Sequence, residues 1–320
     1  SDVRVLVTGA TGFLGLHLCR ALTARGHAVR ASARPTSRTG EIEALGIEVT
    51  RGALSDPEAL RPAMETDAVV HAAGGGIVRE VADFYQGNTD TTRALIEAAP
   101  STLRRFVLVS SLAAHGPSPG PTPDADGAPD APVSHYGRSK HAAEALALAS
   151  PLPVTCLRPP ALYGPGEHRM VGLFRAAERG VVPMVHPRGT MSMLHGADCA
   201  EVIARALETE HPRGAYFVAE PAPYPRAEVA RLIGAAVGRP VRVLPVPPLA
   251  MKALGAAAEL TGRLRDRPVM LSRDKAAVAT LPHQSCDPRR AMQTFDWAPA
   301  HDFERGAREA YADYRRRGWL

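Results

Sequence analysis

The sequence predicts an α/β protein, a doubly wound parallel sheet with a smaller, mainly C-terminal lobe, on three observations. Short apolar runs alternate with helical patterns through the first half, a glycine string separates the first run from the first helix, and prolines increase while periodic segments shorten after Arg158. Alternating strand and helix periods imply a parallel sheet covered by helices on both faces.

The elements follow in order. Residues 3–7 read as a strand, 12–25 as a helix and 28–33 as a second strand. Further strands are expected at 47–49, 68–71 and 106–110, with a helix at 89–99. Residues 116–132 are rich in Pro, Gly and Asp and read as a long functional or disordered loop. A helix at 134–149 and a strand at 154–157 complete the alternating part. Residues 1–158 are thus expected to form the first unit. Residues 159–320 form mainly the second, with helices at 198–208, 226–237 and 304–316 and some segments returning to the first.

Composition excludes several classes. The chain has 320 residues, 45% hydrophobic, enough for a sizeable core. Its formal charge is +5, but only Lys140, Lys252 and Lys275 are lysines, and the arginines are dispersed without an aromatic-rich strand to stack bases, so nucleic acid is not expected. Cys19, Cys156, Cys199 and Cys286 lie far apart without CxxC or Cys/His pairing, so neither a metal site nor a disulfide framework is expected. No apolar run approaches the roughly twenty residues of a membrane span, and the chain opens on Ser-Asp and a strand, so a cytoplasmic protein is expected.

The first strand runs into Thr8-Gly9-Ala10-Thr11-Gly12-Phe13-Leu14-Gly15. Gly9 permits a tight turn, Gly12 a close approach of backbone to a pyrophosphate, and Gly15 close packing of helix on strand. The helix N-terminus supplies unpaired N–H donors for phosphate. This is a Rossmann-type dinucleotide site. The second strand ends in Ala33 where an acid would bind the ribose of NAD, and Arg34 and Arg38 follow. NADPH is therefore expected to be preferred, with NAD as the alternative.

Ser110-Ser111 end the strand at 106–110, the sheet edge where open α/β folds bind ligands. Tyr136 and Lys140 follow at i and i+4 on one face of a helix. A phenol with a pKa of about 10 acts at neutral pH only if a neighbouring cation stabilises its phenolate.

With Asp67-Ala68-Val69-Val70-His71-Ala72-Ala73, Asn88-Thr89, Leu157-Arg158-Pro159-Pro160-Ala161-Leu162-Tyr163-Gly164 and Phe295-Asp296-Trp297, the chain resembles the extended short-chain dehydrogenases/reductases over nearly its full length. The resemblance implies that Ser111 orients the substrate oxygen, Tyr136 exchanges the proton, and Lys140 binds the nicotinamide ribose and lowers the Tyr136 pKa. It implies a cofactor lined by Gly9, Thr11, Gly12, Phe13, Leu14, Gly15, Arg34, Arg38, Leu54, Ala72, Ala73, Asn88, Tyr136, Lys140 and Pro159. His71 reads as a packed strand-end residue, Asn88 as a structural bridge, and Tyr163 as either pocket wall or core. Gly52-Ala53-Leu54 lacks the family's adenine-contacting Asp, leaving backbone near Leu54 and apolar packing for the adenine.

Leu112-Ala113-Ala114-His115 after Ser111 offers no carboxylate for dehydration, and Pro160-Ala161-Leu162 stands where sugar-nucleotide epimerases commonly show an Asn that grips the diphosphate. The chain looks most like the 3β-hydroxysteroid dehydrogenase and dihydroflavonol reductase branch. That implies an oxidoreductase for a medium-to-large hydrophobic ketone or alcohol. The alternatives are a nucleotide-sugar epimerase with transient oxidation, and a non-catalytic NADP-binding scaffold. The stretch 244–271, with Pro245, Pro247, Pro248, Leu249, Met251 and Leu254, suits either an apolar pocket lid or a packed helix, and Met170, Met184, Met191 and Met193 are further candidates for the pocket. Relatives often dimerise through four helices, which here would be those at 89–99 and 134–149.

Overall fold

The computed structural model describes residues 3–320. Its first half builds β1 (Arg4–Thr8), α1 (Phe13–Ala24), β2 (Ala28–Ala33), β3 (Glu48–Arg51), β4 (Ala68–His71), α2 (Thr91–Ala98), β5 (Arg105–Val109), α3 (His135–Ala149) and β6 (Val154–Arg158). The second half adds β7 (Ala161–Tyr163), α4 (Val171–Glu178), β8 (Met193–His195), α5 (Gly196–Glu208), β9 (Gly214–Phe217), α6 (Arg226–Val237), α7 (Pro248–Leu264), α8 (Arg273–Ala279) and α9 (Phe303–Arg316).

Seven strands form one sheet in the order β9-β6-β5-β4-β1-β2-β3, every pair parallel. Strands β4, β5 and β6 are buried at every residue, as central parallel strands covered on both faces are. Successive side chains point to opposite faces. Val5, Val7, Val107 and Val109 therefore meet Leu18 of α1 and Ile203 of α5, whereas Leu6, Phe106 and Leu108 meet Leu95 of α2 and Ala143 of α3. The second half thus completes the first: β9 extends the sheet beside β6, and α5 covers one of its faces beside α1. This is a Rossmann-like core.

A separate apolar cluster holds the smaller C-terminal lobe together around Tyr163, Phe174, Val229, Ile233, Phe303 and Tyr314. Tyr163 is core: its ring packs on Gly306, and its hydroxyl donates to Glu220 at 2.9 Å. Burial lifts the Glu220 carboxyl to about 7. Met170 and Met193 are buried in the same cluster, with Met184 and Met191 packed against it, so the four methionines belong to the lobe interior rather than to a pocket.

The segment 116–132 has no regular element but is firmly held. Arg158, at the end of β6, donates from Nε and Nη2 to Glu144 of α3 at 2.9 and 2.6 Å, and from Nη1 and Nη2 to Asp130 at 2.8 and 2.9 Å. His115 bridges Asp130 and Asp124 at 2.8 Å each. Burial would raise the Asp130 carboxyl, but Arg158 and His115 outweigh it and hold the group at about 2. Removing one partner of a buried ion pair strands the other's charge, so Arg158→Ala is expected to lower stability by about 3–5 kcal/mol. Urea denaturation checks this, and a loss within the range of a surface substitution would refute it.

Candidate active site

The glycine turn is shaped by two kinds of contact. Gly9 has φ +70°, and a Cβ there would lie 2.6 Å from the Ala73 nitrogen. A Cβ on Gly15 would lie 2.0 Å from the Gly9 carbonyl oxygen. Both glycines are thus demanded by the protein's own packing. Gly12 is not: it is exposed, and the nearest atom to a Cβ would be the Gly9 oxygen at 3.4 Å. It is the N-cap of α1, without a side-chain cap and with no acid in the first turn. The N–H donors of the turn therefore face an open cradle suited to a pyrophosphate. Thr11 is exposed beside it. Phe13 and Leu14 lend only backbone, since the Phe13 ring packs on Gly196 and Leu14 packs on the core.

The end of β4 is tied to this turn. Thr8 Oγ1 lies 2.6 Å from His71 Nδ1 and accepts from the Ala73 N–H at 3.2 Å, while the Ala72 N–H reaches the Thr8 carbonyl at 3.3 Å. His71 is wholly buried, and burial with the nearby Lys140 charge lowers its pKa to about 3. It acts as a packed, neutral strand-end residue.

Ser111 follows the C-terminal end of β5, and α3, which carries Tyr136 and Lys140, packs there. Lys140 is buried, and its ammonium donates to the Val109 carbonyl at 3.2 Å. Ser111 Oγ accepts from the Ala113 N–H at 3.1 Å, and the Leu112 N–H donates to the carbonyl of buried Pro159 at 2.9 Å. Gly137 packs α3 on this turn, since a Cβ there would lie 2.3 Å from the Ala113 oxygen. Tyr136 is half-buried, its ring centroid 6.0 Å from that of Phe84. Asn88 sits in a π-helical turn, Tyr85–Asp90, a local widening frequent at functional sites. Its amide donates to Ser139 Oγ at 3.0 Å, while its Oδ1 is buried with no partner. Gly74 closes over this spot: a Cβ would lie 2.2 Å from Asn88 Oδ1 and 3.2 Å from Lys140 Nζ. An orphaned acceptor, a buried ammonium and the Gly12 cradle along one sheet edge fit a nicotinamide dinucleotide.

Three contributors escaped the sequence reading. The glycine run after Ala73 was a visible signal for Gly74, and Gly137 stands inside the Tyr-Lys motif. Asp274 has no local signal, yet its carboxylate accepts the His135 and Tyr136 N–H groups at 2.6 and 3.1 Å, capping the catalytic-face helix from the other lobe. Leu54 is half-buried against the core. A cleft of about 780 Å³ lies between Val81 and Phe84, His135 and Arg138, and the C-terminal end of α7. His195, His301 and Glu309 cluster elsewhere, but the two imidazoles stack in parallel at 3.8 Å, so their in-plane lone pairs do not converge on one ion.

A model of the NAD dependent epimerase/dehydratase family matches residues 5–219, and the chain belongs to that family. It is an enzyme, a nicotinamide-dinucleotide oxidoreductase acting on CH–OH or C=O groups. It is 30% identical to a 2-alkyl-3-oxoalkanoate reductase of Stenotrophomonas maltophilia over 97% of this chain and 99% of that protein. It is 37% identical to a ceramide reductase of Caulobacter vibrioides over 64% of this chain, a match spanning 61% of that relative. Among solved structures, the Bordetella bronchiseptica enzyme WbmG in complex with NAD and UDP superposes with a TM-score of 0.79 at 22% identity, covering 99% of this chain and 96% of that one. A UDP-galactose 4-epimerase superposes at 0.76 with 19% identity, covering 99% and 100%.

The expected preference for NADPH is corrected by these comparisons, since the similar structures solved with a nicotinamide cofactor hold NAD. Arg34 and Arg38 are exposed and take no part in a hydrogen bond or ion pair through their side chains among the described residues. The loop they occupy is instead organised by Arg51, whose guanidinium donates to the carbonyls of Arg34, Pro35 and Ser37 and to Thr39 Oγ1. Lack of an acid at Ala33 does not in itself build a phosphate site.

Two outcomes follow. Gly12→Ala is expected to keep the wild-type melting temperature while weakening NAD binding about tenfold or more, whereas Gly15→Ala loses stability; calorimetric titration and thermal denaturation separate them. Burial also lowers His17 and His195 to about 4. The unfolded chain therefore binds more protons than the folded one between the ordinary histidine pKa of about 6.5 and these values, so stability falls as pH drops through that window. A melting temperature that stays constant from neutral pH down to about 4 would contradict neutral buried histidines.

Proposed function

We propose that the protein interconverts a ketone and a secondary alcohol on a substrate with a substantial apolar portion, with NAD as cofactor. The observation that carries the chemistry is the buried Lys140 ammonium, held by the Val109 carbonyl at the end of β5 on the helix that also carries Tyr136. Bound NAD supplies the hydride acceptor, or in its reduced form the donor. Gly12 leaves room for its pyrophosphate at the turn that Gly9 and Gly15 shape, with Ala72, Ala73, Asn88 and Pro159 lining the edge toward the nicotinamide. The Tyr136 hydroxyl gives a proton to the substrate oxygen during reduction and takes it during oxidation. Lys140, held by the Val109 carbonyl, would bind the nicotinamide ribose. Ser111 donates to the oxygen on which negative charge develops.

The apolar substrate is supported by the near-full-length similarity to a reductase of 2-alkyl-3-oxoalkanoates. Ala161 also stands exposed, with a methyl group that cannot grip a diphosphate. This is the apolar-ketone branch of the family. The second reading, a nucleotide-sugar epimerase with transient oxidation, is better represented among the similar solved structures. An epimerase retains its dinucleotide through the cycle and shows no net redox change.

Tyr136→Phe is expected to leave NAD binding intact and to lower turnover by about 10²-fold or more, the scale of general acid–base catalysis. Near-normal turnover would remove Tyr136 from the mechanism. A substrate panel of β-keto acids, long-chain ketones and UDP-hexoses decides between the readings. NADH consumption with the ketones is expected, and product from UDP-hexoses alone, without net NADH change, would establish the epimerase.

A further inference from the structure

The stretch expected as either an apolar lid or a packed helix folds as a helix with its apolar side outward. Helix α7 buries only Gly255 and Gly262. These two glycines bring it against α8 and the turn that follows it: a Cβ on Gly255 would lie 2.8 Å from the Ser272 oxygen, and one on Gly262 2.6 Å from Val269 Cγ1. At 3.6 residues per turn, Leu249, Ala253, Ala257, Leu260 and Leu264 fall within an arc of roughly 80° on the opposite side. Leu249 and Leu264 are each 80% exposed, and Leu260 is 60% exposed. The glycine contacts fix the helix's rotation, so the leucine stripe faces away from the protein.

The charge around this stripe indicates what covers it. From residue 242 to 279 there are seven cations against three carboxylates, a net +4 out of +5 for the whole chain. Asp266 is paired with Arg79, Glu259 with Arg263, and Asp274 caps α3. Arg242, Lys252, Arg265 and Arg267 are exposed and have no ion-pair partner among the described residues. A two-fold contact between copies brings the same patch against itself, setting these cations opposite one another.

We propose that α7 docks the enzyme on an anionic membrane surface, lying in the plane of the interface with its leucine stripe among the acyl chains and the surrounding cations on the lipid headgroups. No described helix is long and apolar enough to cross a membrane, so α7 lies on the bilayer rather than spanning it. Its inner edge, through Glu259, Gly262 and Arg263, walls the large cleft that reaches His135 beside Tyr136. Docking therefore holds that cleft close to the lipid surface. The docking stands on the stripe and its charge, independently of which substrate is turned over.

The test is flotation of the full chain with vesicles of phosphatidylcholine alone and of phosphatidylcholine mixed with phosphatidylglycerol. Binding to the mixed vesicles is expected to be at least about tenfold stronger and to fall as salt is raised. The double variant L249E/L260E, at exposed positions, is expected to melt like the wild type and to lose about tenfold or more in binding, and K252E/R267E to lose the preference for the anionic vesicles. Absence of flotation with either vesicle overturns the proposal. So does a concentration-dependent dimer in analytical ultracentrifugation that L249E/L260E dissociates, which assigns the stripe to a second copy.

Discussion

The Arg158 guanidinium is the joint on which the geometry of the site depends. It leaves the end of β6 and takes both oxygens of Glu144 and both of Asp130 in a largely dry environment. Such a charge is tolerable only when its donors are met by well-placed acceptors. Glu144 stands one helical turn beyond Lys140, which stands one turn beyond Tyr136. Anchoring Glu144 therefore sets the rotation of α3, and with it the face that carries the tyrosine and the ammonium. The other arm of the joint organises a proline- and glycine-rich segment that has no hydrogen-bond ladder of its own.

Around this joint the site is assembled by close backbone approaches. Gly9 admits the Ala72–Ala73 backbone, Gly137 admits the turn after Ser111, and Gly74 admits Asn88 and Lys140. Each contact spends its glycine on internal packing. Gly12 has no such internal demand, and the space it leaves is available to a ligand. Asp274 adds a tie from the smaller lobe, closing the N-terminal turn of α3. The catalytic-face helix is thus held from the sheet, from the long loop and from the second lobe.

Much of this was legible along the chain because it is local. The apolar runs at β1, β2, β4, β5 and β6, the glycine string and the Tyr136–Lys140 spacing each declare themselves within a few residues, and the helix at 226–237 was read to its ends. The failures concern what distant residues do to a local pattern. Met170 and Met193 looked like pocket lining because adaptable side chains carry no mark of direction. Tyr163 was left between wall and core, and a glutamate 57 residues away decided for core.

What periodicity and motif determined, unaided, was the layered fold and the glycine turn, and they named the candidate reacting side chains, since strand, helix and glycine preferences act between near neighbours. What only the tertiary structure decided was rotation and pairing: which carboxylates meet Arg158, which acid caps α3, and which way α7 turns its leucines. Those depend on groups from 7 to 139 residues apart. Their contact energies exist only once the chain has closed.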